Sequence, residues 1–227
     1  MKLNVNHPAY VIVFVTVLSS AFTAAVVSVQ VATQARVEGN EALREQKALV
    51  RVFGLGDVEA LSSREIADLV EQRVTRKDAV KDPATGREFR VFATGGAVAF
   101  EFRGKGFWAP ITGLLALTPD LSKVVGLVVV EQAETPGLGG RITEDAFQEQ
   151  FAGLNVAPPP EGRAFIYLER NKPTDQRDPR MGRTVEAITG ATQTSMALGQ
   201  LLNANVEQFR RAVGVVTEVH GSTDPDS

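Results

Sequence analysis

The sequence contains no cysteine among its 227 residues. Disulfides, thiolate zinc sites, iron–sulfur clusters and thiol nucleophiles are therefore excluded. It has only two histidines, His7 before the first apolar segment and His220 in a polar tail, so a Ser-His-Asp triad or a histidine-ligated metal is not expected. We expect no catalytic residue and no metal site. Redox or group-transfer chemistry by this chain would require an organic cofactor.

The sequence also lacks a long basic run, and its net charge is −3. A nucleic-acid binder needs a basic surface that displaces counterions from phosphates, so we do not expect a nucleic-acid partner. With 44% hydrophobic and 22% charged residues, the chain is unlike a disordered protein. Its length suits one sizeable domain with an appendage.

Aspartate, glutamate, lysine and arginine are absent from residues 3–35, and residues 10–33 are apolar or small over 24 positions. A helix of this length rises about 36 Å, enough to cross a hydrocarbon core of about 30 Å. The pattern predicts a transmembrane helix over 10–33. Two alternatives are a cleaved secretory signal, whose apolar core is usually about 7 to 15 residues, and a buried helix of a soluble protein.

The basic residues that flank this segment are unevenly distributed. Lys2 precedes it, whereas Arg36, Arg44, Lys47 and Arg51 follow it. The positive-inside rule would place the C-terminal part in the cytoplasm, but the rule is weak for long translocated domains. The flanking charges therefore leave the orientation open.

Helical spacing continues over residues 36–56, and Ser62 with Glu65 forms a capping box that begins a second helix. From Phe89 onward, short runs rich in Val, Phe and Leu alternate with Gly, Pro and Asp, which predicts antiparallel strands. Residues 144–154 return to helical spacing, 163–170 read as another strand, and 194–213 form a long amphipathic helix.

This pattern predicts an α+β fold: one transmembrane helix, then one domain with a mainly antiparallel sheet and flanking helices. We divide the chain into five segments. They are an N-terminal tail over 1–9, the transmembrane helix over 10–33, a helical connector over 34–83, the folded domain over 84–215 and a polar tail over 216–227.

Residues 134–140, with the sequence ETPGLGG, follow an apolar strand and precede a helix. Glycines in three of the last four positions permit positive φ and let the backbone approach another group closely. A tight connection between strand and helix explains the same composition. The incomplete G-x-G-x-x-G pattern argues against a dinucleotide site.

Several hydroxyl side chains lie close together at the start of the last predicted helix, within residues 185–202, whose sequence is VEAITGATQTSMALGQLL. Thr189, Thr192, Thr194 and Ser195 could each cap that helix. Capping needs one hydroxyl, however, and the Gly190-Ala191 pair keeps the backbone beside Thr192 free of bulk. A phosphate placed there would meet unpaired N–H donors and the positive end of the helix dipole.

The TGAT sequence of residues 189–192 resembles the flavinylation motif of the FMN-binding domain family. In that family FMN is joined through its phosphate to the last threonine of the motif, which here is Thr192. The family has an aspartate three residues before the motif, where this chain has Glu186. Residues 104–117 and 126–142 further resemble the C-subunit family of the sodium-translocating NADH:quinone reductases, and the G subunit of the Rnf electron-transport complex shares the ETPGLG and TGAT motifs.

The resemblance implies a phosphoester between FMN and Thr192, with the flavin ring against the loop 134–140. Gly190 and Ala191 would keep the attachment point open to a flavin transferase, and Thr189 and Thr194 would bind the phosphate or cap the helix. Leu138 would pack on the ring. Trp108 would either lie near the ring or pack in the core. The expected cofactor-binding residues are Thr192, Thr189, Gly190, Ala191, Thr194, Glu134, Thr135, Gly137, Leu138, Gly139 and Trp108.

By the same resemblance, the chain would relay electrons through its flavin to other subunits of a membrane-bound, ion-translocating NADH:quinone oxidoreductase. It would have no substrate chemistry of its own. The family location is the periplasmic side of the bacterial inner membrane, in conflict with the flanking charges. The alternatives are a G subunit of an Rnf-type complex and a free-standing membrane-anchored flavoprotein or interaction module in which TGAT is only a helix cap.

Overall fold

A computed structural model of the chain describes residues 8–221, apart from the side chains of residues 35 and 215–221. His7, the side chain of His220 and the outer parts of both predicted tails lie outside the described residues. The chain divides into two compact units, Met1–Arg44 and Glu45–Ser227. Helix α1 (Pro8–Val52) begins in the first unit and ends in the second.

The first unit consists, in the described residues, of the greater part of α1. Its segment Pro8–Gln34 is long and apolar enough to cross a membrane. A helix satisfies its own backbone in a bilayer, and hydroxyls on such a helix can bond to the preceding turn. In this segment, hydroxyls donate to carbonyls four residues earlier: Thr16 to Ile12, Ser28 to Ala24 and Thr33 to Val29.

The second unit is built on a five-stranded antiparallel sheet in which neighbours in sequence are neighbours in space. Before the sheet come the end of α1 and helix α2 (Ser63–Arg73), which begins at the predicted capping box of Ser62 and Glu65. The strands are β1 (Thr75–Lys81), β2 (Glu88–Thr94), β3 (Ala97–Lys105), β4 (Pro110–Leu117) and β5 (Val124–Glu131).

Short elements follow the sheet and lead to one long helix. A 3-10 turn (Gly139–Thr143), helix α3 (Asp145–Gln148) and a second 3-10 turn (Glu149–Phe151) come first. Strands β6 (Tyr167–Glu169) and β7 (Thr184–Glu186) then pair in parallel. Helix α4 (Thr192–Gly221) completes the fold, which is α+β with a mainly antiparallel sheet and flanking helices, as predicted.

Alternating residues of the strands serve two cores, one on each face of the sheet, as the two-residue period of a strand requires. The smaller core joins the sheet to the end of α1 through Leu49, Val52 and Phe53. The larger core joins the opposite face to α4, whose buried apolar side chains in this core are Leu198, Leu201, Leu202, Val206, Phe209 and Ala212. Met196, within the helix predicted to be amphipathic, is 51% exposed.

The position of α4 on the sheet is fixed by an aromatic cluster and one glycine. The Phe209 ring stacks on Phe100 with 4.1 Å between centroids and meets the edge of Phe89 at 5.7 Å. Near the other end of the contact, a Cβ at Gly104 would lie 2.8 Å from the Leu201 side chain. The helix therefore crosses β3 where this strand has no side chain.

A buried carboxylate attaches the turn between β1 and β2 to the far part of α4. Asp82 is fully buried and accepts hydrogen bonds from Arg211, Thr85 and the Ala84 N–H. The Arg211 guanidinium and the Thr85 hydroxyl hold the pKa of Asp82 well below its usual range. This contact stabilises the fold. It lies far from the first turn of α4.

Three segments differ from the sequence-based predictions. Residues 75–81, placed in a helical connector over 34–83, form the strand β1, which pairs with β2. The strand predicted over 163–170 is confined to Tyr167–Glu169, and the helical spacing of 144–154 yields only α3 and a 3-10 turn. The boundary between connector and domain at residue 84 stays a prediction, while the compact unit itself begins at Glu45.

The Phe209 stack provides a test of this packing. We expect Phe209→Ala to lower the free energy of unfolding by about 3 to 5 kcal/mol, because it removes a fully buried ring and leaves a cavity. Denaturant unfolding of the detergent-solubilised chain measures the change. Met196→Ala, an exposed position on the same helix, is the control. Equal and small effects of the two changes would contradict the packing of α4 on the sheet.

Candidate functional site

A groove of about 250 Å³ lies at the start of α4, formed by three separate segments of the chain. One wall comes from the connection between β3 and β4, one from the loop after β5, and one from the first turn of α4. The lining residues are Phe107, Trp108, Thr135, Leu138, Gly139, Gly190, Ala191, Thr192, Gln193 and Thr194. The structure thus brings together most of the residues predicted as cofactor-binding.

The TGAT segment turns the chain into α4. Gly190 has φ +83°, a conformation that side chains rarely adopt, and it lies just before the helix start. The Ala191 N–H donates to the Ile188 carbonyl at 3.0 Å, and the Ser195 N–H donates to the Ala191 carbonyl at 3.0 Å. After this turn, Thr192 is the first residue of α4, and its side chain is exposed.

The hydroxyl that stabilises this turn is that of Ser195, which was one of several caps offered by the sequence. Its Oγ is buried and accepts a hydrogen bond from the Ile188 N–H at 3.2 Å. The bond ties the chain entering the turn to the helix leaving it. The hydroxyl that stabilises this turn is therefore that of Ser195. Thr192 lies at the surface.

The side chains of Thr194 and Glu134 are buried and bonded to each other. Thr194 is 4% exposed, and its hydroxyl donates to Glu134 Oε2 at 2.8 Å. Glu134 is also 4% exposed, and its Oε1 accepts the Trp108 N–H at 3.0 Å. The Thr194 proton is thus directed at Glu134. The expectation that Thr194 caps the helix or donates to a phosphate is not what this geometry provides.

The loop after β5 is a tight turn that needs glycine at two positions, Gly137 for its positive φ and Gly139 for a close contact. The Thr135 carbonyl accepts from the Leu138 N–H at 3.1 Å and from the Gly140 N–H at 2.9 Å, and Gly137 has φ +74°. A Cβ at Gly139 would lie 3.0 Å from the Glu134 Cβ and still closer to Thr194 Oγ1. Gly139 therefore allows contact with α4.

Apolar side chains form the rim of the groove. Trp108 is 69% exposed and touches Phe107 edge to face, with 4.9 Å between ring centroids. Leu138 is 44% exposed, and its Cδ2 lies beside Gly190. Of the two roles considered for Trp108, packing in the core is wrong, because the indole lies at the surface of the groove. Large apolar groups clustered at a surface commonly mark a binding site.

Three residues of the predicted site do not line this groove: Glu134, Thr189 and Gly137. Thr189 is exposed and lines a neighbouring depression of about 220 Å³, together with Glu186, Arg141 and Glu144. Gly137 is at the tip of the loop after β5 and is outside the lining. Sequence reasoning missed Phe107 and Gln193, which adjoin Trp108 and Thr192 in the chain, and it missed the internal partners of Glu134.

The residues present fit the phosphate and ring of an FMN. An exposed hydroxyl stands at the first residue of α4, where the N–H groups of the first turn have no partner within the helix. The apolar rim of Trp108 and Leu138 stands beside it in the same groove. A flat aromatic ring system attached to a phosphate has complementary chemistry.

Comparison with known proteins gives an independent view of these segments. Residues 106–207, which contain all three walls of the groove, match the FMN-binding domain family. The solved structure of the C subunit of the Na(+)-translocating NADH-quinone reductase from Parabacteroides distasonis superposes with a TM-score of 0.64 at 19% identity. The match covers 85% of this chain and 98% of that one, which establishes a common fold.

Several curated proteins are similar in sequence. The C subunit of the Na(+)-translocating NADH-quinone reductase of Pseudomonas aeruginosa is 26% identical over 83% of this chain and 86% of its own length. Its Neisseria meningitidis counterpart is 30% identical, but the match spans only 36% of that protein and 44% of this chain. The G subunit of the proton-translocating ferredoxin:NAD(+) oxidoreductase complex of Clostridium ljungdahlii is 32% identical over 48% of this chain and 51% of its own.

The family match and the groove coincide in the same residues, and the fold match extends over most of the chain. Residues 106–207 of this chain therefore match the FMN-binding domain family, and the chain is similar to the C subunits of the sodium-translocating NADH-quinone reductases.

Proposed function

We propose that the chain is an electron-carrier subunit of a membrane-bound, ion-translocating NADH:quinone oxidoreductase, with FMN joined through its phosphate to Thr192. The observation that carries the proposal is the position of Thr192, an exposed hydroxyl at the first residue of α4 that lines a groove with an apolar rim. When bound, FMN supplies one- and two-electron chemistry that no side chain of this protein offers.

The first turn of α4 supports the choice of Thr192 among the hydroxyls of this region. Ser195 is buried and bonded to Ile188, and Thr194 is buried and bonded to Glu134. Thr189 is exposed but lines the neighbouring depression. Thr192 alone among these four is both exposed and part of the groove lining.

The surroundings of Thr192 suit a phosphoester. Gly190 and Ala191 keep bulky side chains away from the backbone that leads to it, so a flavin transferase could reach its hydroxyl. The dipole of the 30-residue helix α4 and the free N–H groups of its first turn stabilise negative charge at this end. Trp108 and Leu138 would orient the flavin ring and exclude water from part of it.

The rest of the proposal rests on the chemistry of the groove lining and on the relatives. Among the described residues that line the groove there is no histidine, lysine, arginine, aspartate or glutamate, which are the residues that most often act as general acid or base. Similar proteins are named as subunits of NADH-quinone reductase or ferredoxin:NAD(+) oxidoreductase complexes. The chain would accordingly exchange electrons with partner subunits.

The similarity to the Clostridium ljungdahlii protein favours a second candidate, a G subunit of an Rnf-type complex. The two candidates share the covalent flavin and differ in partners. Purification of the tagged chain from its native membrane decides between them by the subunits that accompany it. Recovery without any partner subunit would favour a free-standing flavoprotein.

Thr192→Ala is expected to abolish covalent attachment of FMN. After co-expression with a flavin transferase, mass spectrometry of the denatured parent chain should show an added mass equal to FMN less one water. The Thr192→Ala chain should show the unmodified mass, because it lacks the oxygen that forms the ester. Thr189→Ala is the matched control and should carry the full addition. An unmodified parent chain would refute the covalent flavin.

The folded domain is expected on the periplasmic side of the inner membrane, with Pro8–Gln34 as its anchor. The basic residues Arg36, Arg44, Lys47 and Arg51 after the anchor favour the opposite side, so the topology is a sharp test. A reporter that works only in the periplasm should be active when fused after Ser227. Activity of a cytoplasm-specific reporter at the same position would overturn the placement.

A further inference from the structure

Glu134 has a distinctive environment among the residues around the groove. Its side chain is 4% exposed, and its two carboxyl oxygens accept hydrogen bonds from different segments of the chain. Oε1 accepts the Trp108 N–H at 3.0 Å, and Oε2 accepts the Thr194 hydroxyl at 2.8 Å. Each donor belongs to a residue that lines the groove, whereas Glu134 does not line it.

We propose that Glu134 is a positioning residue: its carboxyl group joins the wall that carries Trp108 to the first turn of α4 and so sets the separation between them. It reaches the cofactor only through these two neighbours. The sequence motif groups Glu134 with the cofactor ligands, whereas the geometry assigns it to the wall behind them.

Burial makes this connection costly to break. A polar group removed from water is destabilising unless its hydrogen bonds are remade, and removal of one partner leaves the other unsatisfied. The buried oxygens of Glu134 are satisfied by donors on two different walls. Either wall can move away only by breaking a hydrogen bond to the buried Glu134 carboxyl group, so the two walls are coupled through one side chain.

Two glycines provide the space that this carboxyl group needs. A Cβ at Gly106 would lie 2.6 Å from Glu134 Oε1, and Gly106 itself donates to the Ala109 carbonyl at 2.9 Å. A Cβ at Gly139 would overlap Thr194 Oγ1 and lie 3.0 Å from Glu134 Cβ. The absence of side chains at both positions is therefore explained by close packing around Glu134 and its partner Thr194.

Hydrogen exchange of the Trp108 amide tests the proposal directly. In the flavin-free full chain, made in the Thr192→Ala background and kept in detergent, Glu134→Ala should cause a loss of protection in peptides covering 106–109 and 190–196. Glu134→Gln should retain it, because the Gln carbonyl can accept from the Trp108 N–H while its amide donates to the Thr194 oxygen. Thr194→Val should lose protection and Thr194→Ser should retain it.

Asp82→Ala is the matched control for general destabilisation. Asp82 is a buried carboxylate with several hydrogen-bond partners, attached to Arg211 far along α4. Its removal should weaken the whole fold without selective loss of protection at 106–109. Unchanged exchange at 106–109 in Glu134→Ala, or equal loss in Glu134→Ala and Asp82→Ala, would overturn the positioning role.

A second variant tests the geometry without a change at Glu134. Gly139→Ala should displace Thr194 and produce the same local loss of protection as Glu134→Ala. Gly96→Ala is the control, because a Cβ there meets nothing within 4 Å. Normal protection in a folded Gly139→Ala chain would contradict the close contact on which the coupling depends.

The consequence for a bound flavin rests on the proposed function. Trp108 is the sole tryptophan, so its fluorescence reports its distance from the flavin in the FMN-loaded chain. Glu134→Ala, loaded to the same extent by mass, should show a recovery of Trp108 emission relative to the parent, and Glu134→Gln should not. Failure of every chain to take up FMN would refute the flavin but leave the exchange result standing; equal loading with unchanged emission and exchange would refute the positioning role.

Discussion

The packing of α4 across the sheet is the contact on which the rest of the second unit depends. The stack of Phe209 on Phe100 and the close approach of Leu201 to Gly104 fix where this helix lies on β3. Since a helix is a rigid rod, fixing its middle also fixes its first turn. The groove exists because that first turn is brought beside the connection between β3 and β4 and the loop after β5. Those segments are far apart in sequence, and their mutual position is maintained where they meet, around the buried side chains of Glu134 and Thr194.

Much of the architecture is predictable from the sequence because it depends on local signals. A long run without charge predicts the apolar helix, the Ser62–Glu65 pair predicts the start of α2, and alternation in the apolar runs predicts strands. Strand β1 is missed because it is an edge strand. Most of Thr75–Lys81 is exposed, so its sequence does not alternate between apolar and polar residues as a half-buried strand would. Its partner residues in β2 determine its conformation.

The segments that form the candidate groove are predictable from the sequence, whereas the burial and bonding of their individual side chains are not. Glycines, hydroxyls and the ETPGLG and TGAT motifs identify two of the segments that form the groove. Whether a given hydroxyl is exposed or buried depends on tertiary contacts, and sequence spacing alone does not distinguish Thr192 from Thr194 or Ser195. For the same reason, Glu134 is grouped with the ligands on sequence and lies behind the wall in the fold.

The bond between the Ile188 N–H and Ser195 Oγ has a consequence for the order of maturation. Because Ser195 closes the turn from inside, the chain needs nothing from the Thr192 hydroxyl in order to fold. The phosphoester proposed at Thr192 could therefore form on the folded domain without opening this turn. Under that proposal, folding and FMN attachment are separate, sequential events.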